Sequence, residues 1–222
     1  MKKIQAVLFD MDGVILDSET PAFELIRQTL KTKGVEISVR ELAGTYTGMT
    51  SNVFFKALKD RYGFKESPDE LRDEHLRISG NFYRDAELVP MPSLLPVLEY
   101  LHEMNIPMAV VSSTLSRDVL FTLNKLSILR FFSAIVGGDM VDKPKPDAEP
   151  YLTAAFYLNM PPESCIIIED SPIGIGAARN AGITVIGFKG SEHIQDTSRA
   201  DLQMSSHDEV LVWLKNNIAF KP

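Results

Sequence analysis

The stretch Ile4-Gln5-Ala6-Val7-Leu8-Phe9-Asp10-Met11-Asp12-Gly13 decides the fold. From Ala6 to Phe9 it is apolar without the alternation of a half-solvated strand, so it reads as a strand covered on both faces of a parallel sheet. It ends in two carboxylates and a glycine. In an open parallel sheet, ligands bind in the crevice outside the carboxyl ends of the strands, which places Asp10 and Asp12 at a mouth. Gly13 permits a turn, so Asp10 can face the crevice while Asp12 contributes a backbone carbonyl and a separately placed carboxyl. A calcium loop can also begin Asp-x-Asp-Gly, but Val14, Ile15 and Leu16 are apolar and no closing glutamate follows.

Outward from this strand, similar apolar runs recur at Met108 to Val111, Ala134 to Val136, Cys165 to Ile168 and Thr184 to Ile186. Helical patterns separate most of them: Leu94 to Met104, Arg117 to Leu126, Glu149 to Leu158 and Ile173 to Asn180. Strands alternating with helices predict an α/β fold, a doubly wound parallel sheet. One interval breaks the pattern. Between the first two runs lies a long segment with almost no strand signal and three helical stretches, Thr20 to Lys33, Ser51 to Tyr62 and Ser67 to Phe82. Gly34 and Gly63 stop the first two, and Ser67-Pro68-Asp69-Glu70 starts the third. Residues 16–85 are therefore expected to form a small helical cap, and residues 1–15 and 86–222 the core.

The chain has 222 residues, 45% of them hydrophobic and 24% charged, which matches a packed globular protein and excludes a disordered or fibrous one. Its formal charge of −7 has the wrong sign for wrapping nucleic acid or binding anionic membranes. An anionic substrate would need a local cation. The single Cys165 rules out an internal disulfide framework and a Cys-rich zinc site, and favours a reducing compartment. Met1-Lys2-Lys3 followed by apolar residues faintly imitates a signal peptide, but Asp10 and Asp12 interrupt it. With no apolar run near the ~20 residues that span a bilayer, a soluble cytoplasmic protein is expected.

A second pair of acids ends another strand, in Ile166-Ile167-Ile168-Glu169-Asp170-Ser171-Pro172. Ser171 can cap and Pro172 can start the next helix, but neither accounts for consecutive carboxylates at an apolar strand's mouth. Clustered acids repel unless a cation stands among them, and hard oxygen ligands select magnesium. His75, His102, His193 and His207 are scattered and form no zinc-ligand spacing. Between the acidic pairs, Ser112-Ser113-Thr114 ends the second strand and Lys143-Pro144-Lys145-Pro146-Asp147 follows the third. Hydroxyls and backbone N–H groups at a strand end can donate to phosphate oxygens, and a lysine adds the missing positive charge. Gly174-Ile175-Gly176-Ala177-Ala178-Arg179 imitates a dinucleotide fingerprint, but the third glycine is missing and the acids precede it. Small residues there suit a helix lying close to the sheet.

In this order, the four elements resemble the haloacid dehalogenase superfamily over nearly the whole chain. Asp10 to Ser18 looks like its first motif, Ser112 its second, the Lys-Pro segment its third, and Glu169-Asp170-Ser171-Pro172 its fourth. A helical cap directly after the first motif is similar to the subgroup of β-phosphoglucomutase and the small-molecule phosphatases. The resemblance implies that Asp10 is a nucleophile and Asp12 a general acid and base. It implies Ser112, Ser113 and a lysine on the phosphoryl group, and Mg²⁺ held by Asp10, Asp12 through its carbonyl, and Asp170, with Glu169 close or acting through water. Two lysines match versions of the third motif, and the spacing to Glu169 favours Lys145 over Lys143.

Within the resemblance, dehalogenases and phosphonate-cleaving members lack an acid at the place of Asp12. A phosphate ester needs its leaving alkoxide protonated. A mutase uses the same four motifs, but Ala22 stands where its cap histidine is expected, and Ser51 or Asn52 where its phosphate-gripping arginine is expected. The expected activity is thus a Mg²⁺-dependent phosphatase on a small phosphorylated metabolite such as a sugar or polyol phosphate. The alternatives are a hexose-phosphate mutase and a non-catalytic metabolite-binding regulator. No nucleic-acid or membrane partner is expected, and the protein is expected to be monomeric. The segment Gly44 to Thr50, read as a cap loop, is expected to discriminate between leaving groups together with Ser51.

Overall fold

In the computed structural model, residues 4–46, 49, 51–191 and 195–218 are described. The chain divides into two compact units, Met1–Asp17 with Val89–Pro222, and Ser18–Leu88.

The first unit is built on a six-stranded parallel sheet in the order β5-β4-β1-β6-β7-β8. Its strands are β1 (Ala6–Phe9), β4 (Met108–Val111), β5 (Ala134–Val136), β6 (Cys165–Glu169), β7 (Thr184–Phe188) and β8 (Leu202–Met204). The order winds outward from β1 in both directions. Its switch point therefore lies between β1 and β6, and that is where Asp10 and the Glu169-Asp170 pair end their strands. All four residues of β1 are fully buried, as both-face coverage demands. Ala6, Leu8, Ala109, Val111, Ile167 and Val185 form one core with α8 (Glu149–Tyr157) and α9 (Pro172–Asn180). Val7, Phe9 and Val110 alternate with them along the same strands and are equally buried.

The remaining helices of this unit are α6 (Leu94–Glu103), α7 (Ser116–Lys125) and α10 (His207–Asn217). Ser206 caps α10 by accepting from the Glu209 N–H. The edge strand β8 and helix α10 are additions to the elements read from sequence. So is a two-stranded ribbon in which β2 (Leu16–Asp17) pairs antiparallel with β3 (Val89–Pro90). That ribbon ties residues 16 and 17 to the core, so the helical unit begins at Ser18 rather than residue 16 and ends at Leu88 rather than 85.

The second unit contains α1 (Glu19–Thr32), α2 (Val39–Tyr46), α3 (Ser51–Tyr62), α4 (Pro68–Ser79) and α5 (Phe82–Asp85). Ser67 and Glu70 form a reciprocal capping box at the start of α4. The helices close over Ile26, Leu30, Leu42, Phe54, Phe55 and Leu58. The Lys33 ammonium, nearly covered, is held by Glu66 at 2.6 Å and Glu74 at 2.7 Å. Helix α2 corrects the loop reading of Gly44 to Thr50, because Gly44, Thr45 and Tyr46 are its last turn. Leu42, Ala43 and Tyr46 are its buried stripe, and that burial overrides the helix-breaking tendency of Gly44. Among the described residues, no helix is long and apolar enough to cross a membrane.

Candidate active site

The loop that follows β1 is tight. Gly13 takes φ +81°, and its N–H donates to the Leu16 carbonyl at 2.9 Å while Ile15 and Leu16 donate back to Met11. The Asp10 N–H donates to the Ile168 carbonyl at 3.0 Å, which fastens the end of β1 to β6. A Cβ at position 13 would lie 2.1 Å from Asp170 Oδ2. The glycine is required twice, for its left-handed backbone and for the space that Asp170 occupies.

Lys145 enters from the loop before α8. Its side chain is almost fully buried, and its ammonium donates to Asp10 Oδ1 at 2.5 Å, Glu169 Oε1 at 2.9 Å and the Val111 carbonyl at 3.1 Å. Of the two candidate lysines, Lys145 is the one brought to Asp10. Lys143 is exposed, and its backbone N–H donates to Glu149.

Asp10, Glu169 and Asp170 are all buried. Burial pushes the Asp10 carboxyl up to about 8; Lys145 pulls against this, and Glu169 and Asp12 push with it. Burial also disfavours the charge on Lys145, but Asp10 and Glu169 outweigh it and raise the ammonium well above its ordinary value. One lysine thus serves two carboxyl groups, Asp10 and Glu169, with Asp12 and Asp170 beside them, and acids outnumber cations in the site.

Glu169, expected near the metal, has both oxygens engaged by protein donors. Oε1 accepts from Lys145 and from the Tyr151 hydroxyl at 3.2 Å, and Oε2 accepts from the Ser171 N–H at 2.7 Å and its hydroxyl at 3.0 Å. A Cβ at Gly174 would lie 1.5 Å from Glu169 Oε1. The small residue at 174 therefore makes room for the Glu169 side chain, a more local reason than close packing of helix on sheet.

Among the described residues, no three His, Cys, Asp or Glu side chains form a metal cluster. Magnesium, however, commonly takes one or two protein carboxylates and retains water. Asp10, Asp170 and the Asp12 carbonyl are hard oxygen donors of that kind, and a divalent cation beside Asp10 would favour the ionised carboxylate that burial disfavours. The donor set fits Mg²⁺.

The expected phosphate binders sit on the loop after β4. Ser112 is buried, and its hydroxyl oxygen accepts from the Thr114 N–H at 3.0 Å, leaving its own proton to donate. Ser113 is exposed. Of the expected cap residues, Ser51 opens α3 and lines a cavity of about 590 Å³ inside the helical unit, with Phe23, Tyr46, Phe54 and His75. Thr50 lies outside the described residues, as do Thr47, Gly48 and His193.

Four contacts were not anticipated from the sequence. Tyr151 bonds Glu169, and its ring lies 4.8 Å from the Lys145 ammonium. Thr114 Oγ1 donates to Asp12 Oδ2 at 3.3 Å. Gln195 donates to Asp170 Oδ2 at 3.4 Å. His207, fully buried against Phe188, bonds the Val14 carbonyl through Nε2 at 2.8 Å, and burial lowers its imidazole to about 4. Tyr151 lies within the Lys-Pro motif, and its spacing was the available signal. No local pattern ties Gln195 to Asp170 or His207 to Val14.

Residues 7–188 match the model of the haloacid dehalogenase-like hydrolase family. The chain belongs to that family. The phosphorylated carbohydrates phosphatase of Thermotoga maritima is 31% identical to it over 183 residues, covering 81% of this chain and 82% of the relative. The validoxylamine A 7′-phosphate phosphatase of Streptomyces hygroscopicus subsp. limoneus is 30% identical over 214 residues, covering 93% and 95%. A crystal structure of a HAD family hydrolase from Deinococcus radiodurans, with bound phosphate and sodium, superposes with a TM-score of 0.83 at 25% identity, covering 98% of this chain and 97% of that one.

Proposed function

We propose that this HAD-like hydrolase is a Mg²⁺-dependent phosphatase that hydrolyses a small phosphorylated metabolite through a phosphoryl group carried on Asp10. The protein is a phosphoric monoester hydrolase, and the relatives' names point to sugar-like phosphates as the substrate class. The observation that carries the reading is the Asp10–Lys145 contact of 2.5 Å at the switch point of the sheet.

In the first step, Asp10 attacks phosphorus as the bond to the ester oxygen breaks, and Asp12 gives its proton to the departing alkoxide. In the second, Asp12 takes a proton from water as that water attacks the aspartyl-phosphate, releasing phosphate and restoring Asp10. Lys145 holds Asp10 and the moving phosphoryl oxygens together, and Ser112 donates its hydroxyl to one of those oxygens. Glu169 anchors Lys145, a role its four donors favour over metal ligation. Bound through Asp10, Asp170 and the Asp12 carbonyl, Mg²⁺ supplies charge neutralisation for the phosphoryl group.

The test is phosphate release across a metabolite panel, with and without Mg²⁺, using wild type and Asp10→Asn. Release that requires both Mg²⁺ and Asp10 is expected. Isomerisation of a hexose phosphate with little release would replace this reading with a mutase, and no turnover of any ester would overturn it.

A further inference from the structure

By its sequence context Thr114 is one of three hydroxyl residues suited to a phosphate. Its side chain instead donates to Asp12 Oδ2 at 3.3 Å. If Asp12 is the acid that protonates the leaving group, this contact bears on how its carboxyl is aimed. A hydroxyl that donates to one oxygen of a carboxyl restrains the rotation of that group, and so the direction in which it presents its proton.

The segment that presents Thr114 is held from several sides. The Thr114 N–H donates to Ser112 Oγ at 3.0 Å, and its carbonyl accepts from the Gly138 N–H at 2.9 Å. Two glycines after β5 form the bed for the loop. A Cβ at Gly138 would lie 2.4 Å from the Ser113 carbonyl oxygen, and one at Gly137 would lie 2.4 Å from the Ser116 nitrogen. Asp139, next along, accepts from the Ser116 N–H at 2.6 Å and from the Ser116 hydroxyl at 2.8 Å. Residues 112–116 are thus fastened to the segment after β5 by main-chain approach and by a carboxylate, and such fastening fixes a side chain better than a free loop does.

From this geometry we propose that Thr114 is a positioning residue for general-acid catalysis. Its hydroxyl orients the Asp12 carboxyl so that the acidic proton faces the leaving oxygen, while Gly137, Gly138 and Asp139 fix Thr114 itself. The inference rests on the acid role assigned to Asp12 above. The step it serves is balanced: the ester P–O bond breaks, the Asp10 O–P bond forms, and the Asp12 proton passes to the departing oxygen.

A misdirected acid harms a reaction only as far as its leaving group needs the proton. 4-Nitrophenolate is a weak base and leaves unaided, whereas phenolate is more basic and gains more from protonation. The two esters are close in size, so binding differences largely cancel in their comparison. The experiment measures kcat/KM for 4-nitrophenyl phosphate and phenyl phosphate, since kcat/KM reports the first transfer and not the later hydrolysis common to both. Thr114→Val, nearly the same shape without the donor, is expected to lower kcat/KM for phenyl phosphate on the order of tenfold while 4-nitrophenyl phosphate changes less than about twofold. Thr114→Ser, which keeps the donor, should restore the wild-type ratio, and melting temperatures check that the variants are folded. Asp12→Ala separates the two levels of inference. If it widens the gap between the esters and Thr114→Val does not, the positioning role is wrong and the phosphatase reading stands. If Asp12→Ala leaves the gap unchanged, the acid role of Asp12 falls and the positioning role with it. Equal loss on both esters in Thr114→Val would mark a structural residue and overturn the inference.

Discussion

At the scale of single residues, the separation of Lys145 from Lys143 is the sharpest outcome. Both stand in one proline-rich segment two positions apart, and only Lys145 is buried against Asp10 and Glu169. Removing an electrostatic stabiliser from a water-poor site typically costs ~10²–10³ in kcat. Lys145→Ala is therefore expected to lose about a hundredfold or more in steady-state phosphatase assays, and Lys143→Ala to stay within about threefold. The reverse order would move the role to Lys143. What could be read beforehand was chemistry carried by local spacing: Asp10 and Asp12 at one strand's end, Glu169 and Asp170 at another's. The direction of each side chain could not. Glu169 and Asp170 are neighbours in sequence, yet Glu169 turns to Lys145, Tyr151 and Ser171, while Asp170 lies against Gly13. Long-range contacts such as Thr114 with Asp12 leave no trace in local spacing.

At the scale of elements, buried strands and strongly amphipathic helices were legible because burial on both faces or on one stripe leaves a pattern in composition. The misses share a cause. Strand β8 is a three-residue edge with the burial of a half-solvated segment, and the β2–β3 ribbon is two residues long on each side, too short for any period to show. Helix α2 was hidden because Gly44 sits inside it and reads as a loop residue. This correction has its own consequence. Gly44 is exposed, has nothing within 4 Å of the place a Cβ would take, and does not adopt a positive φ. In a helix, alanine is favoured over glycine by ~0.8–1.0 kcal/mol. Gly44→Ala is therefore expected to stabilise the protein by about 0.5–1 kcal/mol in urea denaturation. Destabilisation would show that the helical turn at residues 44–46 is wrong.

At the scale of the whole molecule, a chain with a formal charge of −7 gathers part of its acidic excess at one buried point and sets a single lysine among those acids. The stability of the metal-free protein should register this surplus. The Asp10 carboxyl is raised from an ordinary 3.8 to about 8, chiefly by burial, so between those values the folded state holds a proton that the unfolded state has released. Stability from this group is complete at low pH and is lost as pH rises through about 8, because burial then holds the ionised native carboxylate away from water and Lys145 offsets this only in part. The buried His207, lowered to about 4, acts in the opposite direction, but only below its unfolded value near 6.5. Cys165, raised from 9.0 to about 11, acts in the same direction as Asp10 near pH 9, so the Asp10 contribution is the difference between wild type and an Asp10 variant from pH 7 to 9. Asp10→Asn keeps nearly the same shape, its amide oxygen can still accept from Lys145, and Glu169 still pairs with that lysine. Without Mg²⁺, the variant should therefore melt at or above the wild-type temperature at pH 8.5, and its melting temperature should fall less between pH 7 and 9. Magnesium should reverse the ranking. A cation at about a hundred times its Kd stabilises the folded state by ~2.7 kcal/mol, roughly 5–10 °C for a chain of this size, and the gain should be large in wild type and small in the variant, which has lost a charged ligand. Calorimetry with EDTA and with MgCl₂ measures both effects. A variant that melts below wild type at pH 8.5 in EDTA, or that gains as much from Mg²⁺ as wild type does, would show that the Asp10 carboxylate neither carries the surplus charge nor helps to hold the ion.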